Sequence, residues 1–129
     1  MRVWWQRCAL AALLNGLIWL TPLPIHLIAL FMPFFSGYSI ASDRQVKGLW
    51  PSLEIGFVMG LTLGSAIMAI GLLAIAVISM LESEVREVYI VVVIIVALAI
   101  GSYTTIAACI GAFLAIHRRA RSRSEQEFG

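Results

Sequence analysis

The chain has 129 residues, of which 61% are hydrophobic and 12% are charged, and its mean hydropathy is +0.97. Soluble domains carry roughly 25% charged residues, so this composition excludes an ordinary soluble globular protein and predicts that lipid is the main solvent. The net charge of +2 is small, and three long stretches carry no charge at all: residues 8–42, 55–81 and 88–117.

The first of these stretches is too long for one crossing, since about 20 helical residues traverse the hydrocarbon core of a bilayer. Pro22 and Pro24 interrupt it, because proline lacks an N–H and clashes with the preceding turn. They separate a predicted helix at residues 3–20 from a second at residues 25–41. Pro33 lies within the second segment, so we expect that helix to be short and kinked at the proline, or else tilted and partly re-entrant.

The second half of the chain contains two longer apolar segments. A polar link at residues 42–54 precedes a third predicted helix at residues 55–80, and a short acidic loop precedes a fourth at residues 88–116. Residues 117–129 form a polar, basic tail. The pattern predicts an all-α integral membrane four-helix bundle that forms a single domain.

The positions of the basic residues indicate the orientation of these four predicted spans. Eight of the nine Lys and Arg residues fall on one side of the membrane, and only Arg86 falls on the other. Basic residues concentrate on the cytoplasmic side of membrane proteins. Both termini are therefore expected in the cytoplasm, whereas a merger of the first two spans would weaken the asymmetry to six against three.

The third span has glycines at helical spacing, at Gly56, Gly60, Gly64 and Gly71, within an arc of about 80°. The fourth span carries a looser set of small residues on one face: Ala97, Gly101, Thr104, Ala108, Gly111, Ala112 and Ala115. Such faces allow helices to pack closely in lipid, as in a glycine zipper. Packing between spans three and four, packing against another subunit, and a glycine-lined pore remain open, although the polar lining of a pore is largely missing.

Candidate chemical groups within the spans are few. The spans contain no Asp, Glu, Lys or Arg beyond their ends, which disfavours coupled transport, and no hydroxyl has a nearby base. His26 and His117 are expected at opposite interfaces, Cys8 and Cys109 as small buried hydrophobes, and Asn15 as an interhelical hydrogen-bonding residue. We therefore expect no catalytic residue, no metal, no cofactor and no enzymatic activity.

The tail carries four arginines directly after the last span, at Arg118, Arg119, Arg121 and Arg123. Their predicted roles are to hold the C-terminus in the cytoplasm and to attract anionic lipid headgroups, at about 1 kcal/mol per charge. The basic segment is too short to indicate nucleic-acid binding.

One segment resembles a known family. The sequence FMPFFSGYSIA at residues 31–41, a polar link with Gly48, and GFVMG at residues 56–60 resemble the central part of small prokaryotic membrane proteins of the DUF5518 type. In those proteins a proline and a Gly/Ala-rich segment precede a short polar turn and a glycine-repeating helix. Ser36 and Gly37 stand where that family has a glycine pair. The resemblance implies a multi-helix membrane fold and no particular activity.

These features together favour a non-catalytic function. The leading hypothesis is a structural or accessory subunit of a larger complex in a prokaryotic plasma membrane, which packs through its glycine and alanine faces against a membrane protein partner or against copies of itself. The alternative is a small oligomeric membrane transporter or channel.

Overall fold

In the computed structural model the chain is all-α, and the structure describes residues 3–18, 26–43, 48–80 and 86–127. These residues form four helices in chain order: α1 (Val3–Ile18), α2 (His26–Asp43), α3 (Leu49–Ser79) and α4 (Arg86–Glu127). No strand occurs among them. Within the described ranges, α3 and α4 are long and apolar enough to cross a membrane. The four-span arrangement stays a prediction.

Helix α3 begins at Leu49, six residues before the predicted start at residue 55. The polar link was predicted to include Pro51, but this proline lies in the first turn of α3. A first-turn N–H has no partner within the helix, so proline costs little there. Gly48 precedes the helix with a φ of 102°, a conformation that glycine adopts without steric cost.

Helix α4 starts at Arg86 and continues to Glu127, so most of the predicted tail is helical. At 1.5 Å per residue its 42 residues measure about 63 Å, about twice the thickness of a hydrocarbon core. Its C-terminal part is rich in Arg, Ser, Glu and Gln and contains neither proline nor glycine before Gly129. An Arg121–Glu125 ion pair one turn apart also supports the helix.

Helix α2 is continuous across Pro33, which is fully buried. Proline cannot donate to the carbonyl of Ala29 one turn earlier, and Ala29 is also buried. At the next residue along, the hydroxyl of Tyr103 on α4 donates a hydrogen bond to the carbonyl oxygen of Leu30. The α2 backbone near the proline is therefore tied to α4, while the kink itself stays a prediction.

Side-chain contacts define the relative directions of the helices. The Arg7–Asp43 ion pair joins the start of α1 to the end of α2, so these two helix ends lie together. Tyr103 contacts Leu30 and Arg119 contacts Ser42, so α2 and α4 run in the same direction. The start of α1, the end of α2 and the C-terminal part of α4 consequently share one end of the bundle.

The core between the helices is built largely from small side chains. The most extensive helix contact is between α3 and α4, followed by that between α2 and α4. The main cluster of buried residues consists of Cys8, Ala12, Ala41, Ile55, Met59, Leu63, Ala108, Ala112 and Ala115. Many large apolar side chains face outward instead; Phe57 and Leu73, for example, are 60% and 68% exposed.

Candidate functional site: small-residue contacts, a lateral groove and a basic end

Glycines at the centre of the α3–α4 interface bring the two backbones together. A Cβ atom on Gly60 would lie 2.6 Å from the carbonyl oxygen of Gly101 and 3.0 Å from the Cβ of Thr105. A Cβ on Gly64 would lie 3.4 Å from the carbonyl oxygen of Ala97, which is ordinary contact. The helices thus require glycine at position 60 but have space for a methyl group at position 64.

Gly56 and Gly71, at the two ends of the same interface, face different kinds of atoms on α4. A Cβ on Gly56 would lie 2.6 Å from the carbonyl oxygen of Thr105, and the Cys109 thiol lies 3.9 Å from the carbonyl oxygen of Leu53. The three atoms nearest to a Cβ on Gly71 would all belong to the side chain of Val93. The predicted glycines of α3 therefore all contact α4, through backbone at one end and through a side chain at the other.

The small residues of α4 do not form one uniform contact face. Gly101 lies against α3, whereas Ala108 and Gly111 lie against α2. A Cβ on Gly111 would lie 3.1 Å from the backbone nitrogen of Tyr38, and one on Gly37 would lie 2.8 Å from the Cα of Ala108. Gly37, one helical turn after Pro33, was named above only for the family resemblance, and its packing against α4 was not predicted.

A groove of about 630 Å³ opens on the outer side of the α3–α4 pair. Its floor consists of the small residues that also bring the helices together, and its walls are larger apolar side chains. The lining residues are Phe57, Gly60, Leu61, Gly64, Ser65, Met68, Ala69, Leu72, Ala97, Leu98, Gly101, Ser102 and Thr105. We refer to this surface as the α3–α4 groove.

Two serines in the α3–α4 groove have hydroxyls without a partner among the described residues. Thr62 and Thr105 donate to the carbonyl oxygens of Val58 and Gly101 one turn earlier, at 2.7 and 2.9 Å. Ser65 on α3 and Ser102 on α4 form no such bond, and both are exposed. The groove therefore presents one hydroxyl from each helix.

The predicted tail arginines occupy one end of the bundle, where their environments differ. Arg118 donates to the hydroxyl oxygen of Tyr38 at 3.3 Å, and Arg119 donates to that of Ser42 at 3.4 Å. Arg121 pairs with Glu125 at 3.3 Å on the exposed side of α4, and Arg123 is exposed. The first two arginines thus donate hydrogen bonds to α2, whereas the ion pair of Arg121 lies within α4.

Asn15 lies inside the bundle with 1% of its surface exposed. The predicted interhelical hydrogen bond of its amide is not found, because neither Oδ1 nor Nδ2 has a partner among the described residues. An unpaired buried amide costs free energy, so this position is a source of instability in the present arrangement.

The remaining candidate ligands do not converge. The ring of His117 stacks on Phe113 with centroids 6.2 Å apart, while the side chain of His26 lies outside the described residues. Cys8 is buried and Cys109 half-buried, and neither forms a disulfide. Among the described residues no three His, Cys, Asp or Glu side chains are grouped as metal ligands.

The fold and its surfaces define an all-helical protein with two helices that are able to span a membrane. The chain matches no protein-family model, and neither a curated protein nor a solved structure shows significant similarity to it. The resemblance to the DUF5518 type therefore stays a prediction.

Proposed function

We propose that the chain is a non-catalytic accessory subunit of a membrane protein complex, in which one helix of a partner membrane protein packs into the α3–α4 groove. The observation that carries the proposal is the groove itself. It has a small-residue floor on the outside of an apolar helix pair, and on each side one hydroxyl without a partner among the described residues.

The outer surface of α3 and α4 supports a location in lipid. Each of these helices contains an apolar stretch of 18 residues that is mostly exposed in the bundle. Only 11% of this stretch is buried in α3 and 22% in α4. A core helix of a soluble protein would bury most of such a stretch, because exposed apolar surface is unfavourable in water. In a bilayer the same surface is solvated by acyl chains.

The common end of α1, α2 and α4 supports the proposed orientation. Arg7, Arg118, Arg119, Arg121 and Arg123 all belong to helix segments at that end. Arg86, at the start of α4, is remote from them in the chain direction of this long helix. By the positive-inside rule, the proposed location is a prokaryotic plasma membrane with both termini in the cytoplasm.

The packing of the small residues refines how a partner would bind. Gly56, Gly60 and Gly101 are already committed to contacts within the chain, so a partner does not need to displace α4 from α3. The open part of this surface is the α3–α4 groove, in which Gly60 and Gly101 are buried and Gly64 is half-buried. A helix can approach closely over small residues and can accept hydrogen bonds from Ser65 and Ser102, which a lipid chain cannot.

Groove-filling substitutions test the proposal. In the variant Ser65→Leu/Ser102→Leu, two leucine side chains fill the groove from exposed positions without touching the glycine contacts. The matched control is Ala76→Leu/Ala99→Leu, which places the same side chains at exposed positions of α3 and α4 outside the groove.

The readout is purification of the tagged chain at native expression in a mild detergent, with a photo-crosslinker at Leu98 in the groove or at exposed Val77 outside it. We expect the wild type and the control to co-purify with a stoichiometric integral membrane partner, and the groove variant to lose it. The crosslinker should reach this partner from position 98 and not from position 77. Migration of the wild type as a lone 14.1 kDa chain, or equal crosslinking from both positions, would overturn the proposal.

The second candidate function is a small oligomeric transporter or channel. It is favoured by the hydroxyls of Ser65, Ser102 and Thr105, because a pathway between copies needs polar groups and these line one apolar groove. Solute flux in proteoliposomes of the purified chain, lost in the groove variant and kept in the control, would favour this function over the accessory subunit.

A further inference from the structure

Arg118 and Arg119 are the two guanidinium groups that bridge α4 and the C-terminal turns of α2. Each donates one long hydrogen bond to a neutral hydroxyl: Arg118 to Tyr38 at 3.3 Å and Arg119 to Ser42 at 3.4 Å. A guanidinium group has five N–H donors. Both groups thus retain donors after these contacts, and the hydroxyl hydrogens of Tyr38 and Ser42 are also free to point toward a ligand.

The positive charges of these two arginines are not neutralised within the described part of the chain. Asp43, the carboxylate closest along α2, pairs with Arg7, and Glu125 pairs with Arg121. Neither Arg118 nor Arg119 has an ion-pair partner among the described residues. The C-terminal carbonyls of α2 carry only partial negative charge, so two full positive charges dominate this corner of the bundle.

The position of the pair along α4 indicates the depth of the site. The uncharged stretch of α4 ends at His117, whose ring stacks on Phe113 one turn earlier. Leu114, one turn before Arg118 on the same side of α4, is 43% exposed, so an apolar surface lies directly beside the charges. In the proposed membrane location, which this inference adopts, the arginines lie at the depth of lipid phosphates.

We propose that Arg118, Arg119, Tyr38 and Ser42 form a binding site for the phosphate of an anionic phospholipid, whose acyl chains lie along the exposed apolar face of α4. The guanidinium groups donate to the phosphate oxygens, which is the geometry that favours arginine at phosphate sites, and the two hydroxyls donate to the same group. A lipid is the occupant rather than free phosphate, because the apolar surface below the charges matches acyl chains.

The test is native mass spectrometry of the detergent-solubilised full chain with added phosphatidylglycerol or phosphatidylcholine, at a salt concentration that screens exposed charges. Arg118→Gln/Arg119→Gln removes the bridging pair. Arg121→Gln/Arg123→Gln is the matched control, because it removes two charges from the same helix without touching α2. Tyr38→Phe removes one hydroxyl at constant charge.

We expect the wild type to retain phosphatidylglycerol in preference to phosphatidylcholine. Arg118→Gln/Arg119→Gln should weaken this retention by about thirtyfold, because it removes two positive charges at the depth of the lipid phosphates. The control should stay within about threefold of the wild type, and Tyr38→Phe should lose at least about tenfold, as for one hydrogen bond to a charged group. Thermal unfolding of each variant in detergent confirms that it is folded.

Three results would overturn the proposal: no preference for phosphatidylglycerol in the wild type, equal losses in the two arginine pairs, or displacement of the lipid by inorganic phosphate as effectively as by phosphatidylglycerol. The first two indicate diffuse attraction, and the third a free-phosphate site. Capture of a partner helix does not use these residues, so the Ser65→Leu/Ser102→Leu variant should retain the lipid. Failure of the lipid site and failure of the proposed function are therefore separate outcomes.

Discussion

Gly60 of α3 and Gly101 of α4 face each other where the backbones of the two longest helices lie close together. A Cβ on either residue would lie 2.6 or 3.2 Å from the carbonyl oxygen of the other. At such distances the Cα–H groups of one helix contact the carbonyl oxygens of the next. The interface is therefore held by backbone proximity, and its tolerance to substitution differs sharply from one glycine to the next.

The first prediction compares Gly60→Ala with Gly64→Ala. A methyl group at position 60 meets backbone and must separate the helices, so we expect the free energy of unfolding to fall by about 1–3 kcal/mol. At position 64 it finds ordinary contact at 3.4 Å, and the helix propensity of alanine should raise stability by about 0.5–1 kcal/mol. Reversible unfolding in mixed micelles measures both. Equal losses at the two positions would contradict the close approach at Gly60.

The second prediction concerns rescue of glycine substitutions by the facing residue. Gly71→Ala collides with the side chain of Val93, whereas Gly37→Ala collides with the backbone of Ala108. Val93→Ala should therefore restore about 1 kcal/mol to Gly71→Ala, and Ala108→Gly should restore nothing to Gly37→Ala. Double-mutant cycles give both coupling energies. Comparable rescue in the two pairs would show that Gly37 faces a side chain instead.

The third prediction addresses the amide of Asn15, which has no hydrogen-bond partner among the described residues. Asn15→Val removes both polar atoms and retains much of the volume, so the free energy of unfolding should rise by about 1–3 kcal/mol. The control is Thr62→Val. The hydroxyl of Thr62 donates a hydrogen bond to the carbonyl oxygen of Val58 at 2.7 Å, so its removal should not stabilise the protein. A loss of stability in Asn15→Val would mean that the amide has a bonding partner in the folded protein.

The fourth prediction concerns orientation in the membrane. The wild-type cysteines are buried or half-buried, so a new exposed thiol can be distinguished. An impermeant maleimide should label Ser124→Cys in inverted vesicles only and Glu87→Cys in intact spheroplasts only, because basic residues retain the C-terminal part of α4 in the cytoplasm. The reverse pattern would place both termini outside.

The all-helical architecture and the approximate helix positions could be predicted, since uncharged stretches and prolines are local features. The boundaries were less accurate. Helix α3 starts at Leu49 instead of residue 55, because a proline at position 51 fits a first helical turn as well as a link. Helix α4 extends to Glu127, because a polar sequence with good helix formers continues a helix as readily as it ends one.

The candidate surfaces were predictable to a lesser degree. Spacing placed Gly56, Gly60 and Gly64 on one side of α3, and they all contact α4. The same spacing grouped Gly101 with Gly111, which contact different helices. Periodicity describes one helix at a time, and a broad small-residue arc can meet two neighbours in the bundle.

Composition, charge placement and periodicity were sufficient to predict the features that depend on neighbours in the chain. These are the helical secondary structure, the order of the helices, and the glycine face of α3. Which helix each face contacts, the burial of Asn15, and the hydrogen bond from Arg118 to Tyr38 depend on residues far apart in the chain. Those pairings are set by how closely the backbones can approach, which is a property of the packed bundle and of no single segment.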